Sequence, residues 1–255
     1  MMQATRTIRW LVVAVAVLML APAARAVVIF QDDFATGTEP DAAKWTQRED
    51  AYCSVYLTSG VLYASFEGQD ALHYATATSP ALNLPSGWTD IVLTGEWAFP
   101  TQEGGEALIR VQDPDDTSVF VQASYVNWVG SGPQKAWRGT HTGAGNDYMN
   151  RTSLPTTLTG FTLTVTPTGW SFVTEGGNIN KSYSTTHMAG LDEVQIRIGG
   201  LEYSDVTNVA AFDNIQLTPE PATLALVGLG ALGLIGRRRR NRAFDIRTFH
   251  EEGER

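Results

Sequence analysis

The chain has 255 residues, with 27 Asp and Glu against 18 Lys and Arg, a formal net charge of −9 and one cysteine. An acidic surface repels phosphate, which argues against nucleic acid and anionic lipid as partners. A lone cysteine excludes an intramolecular disulfide, so the fold must be held by its core.

At the N-terminus, Arg6 and Arg9 precede an apolar run over 10–20, and Ala24-Arg25-Ala26 puts small residues where a signal peptidase reads them. Residues 1–26 are therefore expected to be a secretory signal peptide, with Ala24 and Ala26 marking the cleavage site and Val27 starting the mature chain. From Val27 to Pro221 there are 195 residues, enough for one domain with a proper core. They carry eight Lys and Arg against 23 Asp and Glu, a net −15, which suits divalent cations or uncharged glycans. Cys53 reads as a small buried hydrophobe, the alternatives being an intermolecular disulfide or a reactive thiol.

Short segments rich in Val, Ile, Thr, Tyr and Phe follow, and they alternate. Ile91, Leu93 and Trp97 share one parity, as do Phe161, Leu163 and Val165, then Trp170 and Phe172, then Val194, Ile196 and Ile198. A period of two marks strands with one buried face. Turn chemistry separates them at Thr58-Ser59-Gly60, Asp113-Pro114-Asp115-Asp116, Pro167-Thr168-Gly169 and Glu175-Gly176-Gly177. Apart from a turn of helix near Asp41 to Trp45, nothing between 27 and 217 holds a helical period. The expected fold is all-β, a two-sheet antiparallel sandwich over 27–217, flanked by the N-terminal signal helix and a C-terminal hydrophobic helix.

The opening Phe30-Gln31-Asp32-Asp33-Phe34, with Trp45 a little further on, and the closing Ala211-Phe212-Asp213-Asn214-Ile215-Gln216-Leu217 resemble the first and last strands of concanavalin A-like, laminin-G-like jelly rolls. The resemblance implies that these two strands pair. It also implies a structural calcium tied to the last strand, which places Asp213, with Asp33 or Asp32 nearby, as the candidate ligands.

Catalytic jelly rolls of the laminarinase type set carboxylates at Glu-x-Asp-x-x-Glu or Glu-x-Asp-x-Glu on one strand, one to attack the sugar and one to protonate the leaving oxygen. That pattern is absent. Glu103 and Glu106 flank two glycines at the wrong spacing, and Asp192 and Glu193 are neighbours that point to opposite faces. The histidines His73, His141, His187 and His250 do not fall at metal-ligand spacing, and no Gly-x-Ser-x-Gly elbow occurs. The expected role is non-catalytic, glycan-binding or structural, the alternative being a polysaccharide-degrading hydrolase or lyase using Glu96, Glu103 and Glu106.

The stretch from Tyr125 to Tyr148 gathers Trp128, Trp137 and His141 among glycines. Sugars present flat apolar faces, so a glycan site wants exposed aromatic platforms beside amide or carboxylate acceptors. Trp128, Trp137 and Tyr148 are the candidate platforms, with Asn127 and Asp147 as acceptors. The alternative is that Trp128 and Trp137 cap the core.

At the C-terminal end, Pro219-Glu220-Pro221 is followed by an apolar run over 222–236 and then Arg237, Arg238, Arg239 and Arg240. Fifteen helical residues span about 22 Å, short of a hydrocarbon core of about 30 Å, and the arginines hold their side in the cytoplasm. The order resembles the PEP-CTERM sorting signal of Gram-negative bacteria, which implies recognition and cleavage by an exosortase while the exported protein is held in the inner membrane. Over 218–242 this is the expected sorting signal with a short transmembrane helix, and 243–255 the cytoplasmic tail. The association of such proteins with exopolysaccharide makes an envelope glycan the expected partner, in the envelope or extracellular matrix.

Overall fold

The computed structural model describes residues 27–50, 52–67, 73–101, 104–127, 135–150, 153–202 and 207–221. Readings that involve Ala24, Ala26, Trp128, Glu103, the run 222–236 and Arg237, Arg238, Arg239 and Arg240 lie outside them, as do both expected terminal helices. Among the described residues no helix is long and apolar enough to cross a membrane.

Sixteen strands are described: β1 (Phe30–Asp32), β2 (Thr46–Glu49), β3 (Cys53–Thr58), β4 (Val61–Glu67), β5 (His73–Thr78), β6 (Leu82–Asn83), β7 (Trp88–Ala98), β8 (Glu106–Gln112), β9 (Phe120–Asn127), β10 (Lys135–His141), β11 (Asp147–Asn150), β12 (Thr159–Thr166), β13 (Gly169–Thr174), β14 (Asn180–Ser184), β15 (Glu193–Glu202) and β16 (Thr207–Pro221). They form two sheets. Sheet A runs β14-β13-β12-β7-β16-β4-β3, with β1 also on β16; sheet B runs β11-β10-β9-β8-β15-β5-β2, with β6 also on β15. Registered pairings are antiparallel throughout, and residues from Val27 to Pro219 make one unit. The chain is an all-β sandwich of two antiparallel sheets.

The period-two strands bury the faces that their parity assigns. Ile91, Leu93 and Trp97 of β7, Phe161, Leu163 and Val165 of β12, and Ile196 and Ile198 of β15 are 4% exposed or less and point into the space between the sheets. Aromatic rings close that space: Trp97 of sheet A stacks on Tyr125 of sheet B with centroids 3.9 Å apart and meets Phe172 edge-on at 5.4 Å.

The first and last strands do pair, Phe30 opposite Leu217 and Asp32 opposite Ile215. The opening motif is explained by one buried polar contact: the Trp45 indole N–H donates to Asp32 Oδ2 at 2.7 Å, while the backbone N–H of Phe34 donates to Oδ1 and Lys44 pairs with it at 3.3 Å. Phe30 meets the Trp45 ring edge-on at 5.0 Å. A single turn at Asp41, whose carbonyl accepts from the N–H of Trp45, brings that tryptophan back. Within β16, Asn214 has φ 53°. Phe212 and Ile215 are both fully buried although they differ in parity, so Asp213 and Asn214 form a bulge where β16 leaves β4 and takes up β1.

Candidate functional site

The aromatic stretch does not make an exposed platform at Trp137. Alternation along β10 sends Ala136 and Arg138 outward and Trp137 inward, where it is fully buried against Phe172 and Tyr183, centroids 6.0 and 6.2 Å away. Its neighbour Gly139 leaves space for this: a Cβ there would lie 2.8 Å from the Tyr183 hydroxyl. Tyr183 comes from β14 of sheet A, and its hydroxyl donates to Asp147 Oδ2 on β11 of sheet B at 2.7 Å, with Lys181 beside it at 3.3 Å. Those contacts hold the Asp147 carboxyl below its usual range, the tyrosine bond first, and burial and Asp147 together push the Tyr183 phenol far up. Trp170 stacks on Tyr183 at 4.5 Å and donates its indole N–H to His141 Nδ1 at 3.1 Å. Burial lowers the His141 pKa, as does His187. Trp137, His141 and Asp147 thus belong to a clasp joining the sheet edges. Asn127 is buried at 7% exposure, and of the described candidates only Tyr148 is exposed, at 37%. Tyr148 lies opposite Arg138, on the outer face of sheet B.

Asp213 sits at the bulge of β16, and its carboxyl is pushed up by burial and then by Glu96, Asp33 and Asp32. A cation there would relieve that crowding. Among the described residues, however, no three His, Cys, Asp or Glu side chains are grouped to hold a metal. Asp32 is already engaged by Trp45, Phe34 and Lys44, and Asp33 accepts from the N–H of Ala35 at 3.3 Å. Calcium takes carbonyl as well as carboxylate oxygens, so a site at Asp213 would have to draw on backbone oxygens for most of its ligands.

The outer face of sheet B is the second concentration of polar groups, and it was not foreseen as a site. Strand β8 turns Ala107, Ile109 and Val111 to the core and Glu106, Leu108, Arg110 and Gln112 outward, yet Glu106 is only 4% exposed. Its carboxylate pairs with Arg138 and accepts from Gln122 Nε2 at 2.7 Å. Burial pushes the Glu106 carboxyl up, while Arg138 and the Ser124 hydroxyl pull it down. Gln122 in turn accepts from Arg110 Nε at 2.8 Å. Arg110 lies over the Phe120 ring at 4.0 Å, and Arg48 over Tyr74 at 4.0 Å, with Arg197 above the same ring at 5.6 Å. The visible signal was the composition of β8, an alternating strand whose outward face reads Glu, Leu, Arg, Gln where a simple solvated face needs no apolar residue.

Among the described residues Glu106 has no acidic cross-strand neighbour on that face: its partners are Leu201 and Val126, and the next outward residue on β8 is Leu108. Glu96 lies on the outward face of β7 in sheet A, where it accepts from Asn214 Nδ2 at 3.0 Å. The two glutamates stand on opposite outer faces of the sandwich and cannot flank one glycosidic bond, a task that needs carboxyls within about 5–9.5 Å.

Residues 217–240 match the PEP-CTERM protein-sorting motif, the signal of an exported chain anchored in the membrane until an exosortase processes it. No curated protein matches the sequence. The sandwich is similar in fold to a non-specific endo-β-1,3(4)-glucanase from family GH16, at 12% identity and TM-score 0.56 over 77% of this chain and 92% of that one. It is also similar to an immunostimulatory antigen and pseudo β-1,3-glucanase of Mycobacterium tuberculosis, at 13% identity and TM-score 0.51, over 76% and 99%. A sialidase matches at 10% identity and TM-score 0.54 over 77% of this chain, which spans only 19% of the sialidase.

Proposed function

We propose that the chain is an exported, exosortase-processed protein of the Gram-negative envelope or extracellular matrix, whose sandwich binds a polysaccharide on the outer face of sheet B without cleaving it. The observation that carries the non-catalytic reading is Glu106: one buried carboxylate, paired with Arg138, with no acidic partner beside it among the described residues. Two-carboxylate hydrolysis requires one free nucleophile or base and one protonated acid, and a single carboxylate paired with Arg138 does not supply both. The binding reading draws on Tyr74, Phe120 and Tyr148 standing on that face amid amide and guanidinium donors. The jelly-roll likeness to glucanases, one described as a pseudo-glucanase, is compatible with it as an analogy of fold. Calcium at Asp213 belongs to the same reading, as a brace for the β1–β16 corner.

The test is affinity electrophoresis of the full chain, in mild detergent, through gels carrying different polysaccharides, each run with calcium and with chelator. Retardation without release of reducing sugar is the expected result, weaker in chelator where calcium braces the fold. Sugar release abolished by Glu106→Gln would instead establish the enzyme. For the sorting half, replacing Pro219, Glu220 and Pro221 by alanine in a host with its exosortase should leave the chain uncut and membrane-held; unchanged processing would remove the exosortase from the account.

A further inference from the structure

Five arginines lie between Val27 and Pro221, and four of them, Arg48, Arg110, Arg138 and Arg197, project from the outer face of sheet B. The strand order brings them together. Arg197 is registered opposite Arg110 across β15 and β8, and Arg48 is opposite Thr76 on β5, which is itself opposite Gly199 of β15. In a stretch whose net charge is −15 this is a local reversal of sign.

Neutralisation of the cluster is incomplete. Glu106 is paired with Arg138 and attracts Arg110 only from farther off, and among the described residues Arg48, Arg110 and Arg197 form no ion pair; they rest on the rings of Tyr74 and Phe120 and on the amide of Gln122. Burial followed by Arg197 lowers the Arg110 pKa to about 10, and burial followed by Arg48 lowers that of Arg197. Arg197 thus destabilises the Arg110 cation, and Arg48 that of Arg197. Among the described residues, four polar atoms on the same face also lack a hydrogen-bond partner: Thr76 Oγ1 in a side chain fully buried, Gln112 Oε1 in one 3% exposed, and the Nε atoms of Arg138 and Arg197. These atoms are themselves buried, so what the face offers a ligand is the N–H edges of Arg48, which is exposed, and of Arg110 and Arg197, which are half-buried, none of them held in an ion pair among the described residues. Gly199, with φ 141°, lets the strands approach closely beneath the cluster: a Cβ there would lie 2.2 Å from the Ala75 carbonyl oxygen.

Resting on the reading above that the face binds polysaccharide, we infer that its ligand is an anionic polysaccharide, whose carboxylate or sulfate groups are gripped by Arg48, Arg197 and Arg110. Ring stacking holds the guanidinium planes in place and leaves their N–H edges for bidentate contact with an oxyanion. The acidic remainder of the domain does not forbid this. Charges beyond about 8 Å are largely screened at physiological ionic strength, while contact pairs are not. The same repulsion still disfavours duplex nucleic acid, which carries a charge every 1.7 Å or so and would bring many phosphates to a domain of net negative charge.

The experiment is affinity electrophoresis of the full chain, in detergent and chelator, through matched pairs: polygalacturonate against its methyl ester, and dextran sulfate against dextran. The expected result is retardation by a charged member over its neutral parent, weakened about tenfold to a hundredfold by Arg48→Gln with Arg197→Gln, and falling with added salt. The pair that responds tells carboxylate from sulfate. Lys181→Gln, on the other sheet, should change nothing, and Arg48→Gln alone, at an exposed position, guards against a misfolded double variant. Retardation by neutral polymers only overturns this inference and leaves glycan binding standing. No retardation in any gel removes both, and so does equal capture of a duplex oligonucleotide lost in the same variants, which would make the face a general polyanion site. Charged-glycan binding indifferent to both arginines also overturns the assignment.

Discussion

Trp97→Ala lowers the unfolding free energy by about 3–5 kcal/mol, the usual cost of removing a large ring from a close-packed core. Trp97 is fully buried and is the ring on which the sheets meet, stacked at 3.9 Å on Tyr125 and in contact with Phe161 and Phe172. Its removal leaves a void bordered by rings from both sheets, which no single strand can collapse to fill. Trp97→Phe should cost distinctly less, because it keeps most of the aromatic contact and deletes an indole N–H that has no partner. Urea titration followed by far-ultraviolet circular dichroism checks both. A Trp97→Ala loss below about 1 kcal/mol would mean that the sheets are held together elsewhere.

Glu106→Ala costs about 3–5 kcal/mol for a different reason, since it leaves the Arg138 guanidinium and the Gln122 amide facing an apolar gap. Glu106→Gln keeps an acceptor for both donors and should be milder. Because desolvating both ions offsets much of their attraction, replacing the pair together, Glu106→Leu with Arg138→Met, should recover most of the loss. Denaturant titration of the wild type, Glu106→Leu, Arg138→Met and the double variant closes the cycle, with Glu106→Ala and Glu106→Gln measured beside it. If the double variant is as unstable as Glu106→Ala, the deficit belongs to packing at position 106 and not to the pairing.

These two sites differ in how far the sequence announces them. Trp97 shares parity with Ile91 and Leu93, so its burial follows from alternation within one strand, and the same local rule yields Phe161, Phe172, Ile196 and Ile198. Trp137 obeys that rule too, standing between outward Ala136 and Arg138, but among glycines it read equally as an exposed platform, and what buries it, Phe172 and Tyr183, arrives from the other sheet. The arginine face was hidden for a topological reason. Arg48, Arg110, Arg138 and Arg197 are scattered along the chain, and only the order β10-β9-β8-β15-β5-β2 brings them together. A net charge averaged over the whole stretch concealed their clustering and pointed toward uncharged glycans. At the C-terminal end the motif needs no partner to be read, because an address is recognised as linear sequence.

The position of β16 also has a mechanical consequence. It lies inside sheet A, between β7 and β4, and its far end continues past Leu217 directly into Pro219-Glu220-Pro221. Tension applied to the chain at that tripeptide runs along the strand axis, so its ladders on both sides are loaded lengthwise and must slip together rather than open one bond at a time. A sandwich tugged through this end should resist as a unit, and a cut at the tripeptide frees it without removing any residue of the Phe30–Leu217 pairing.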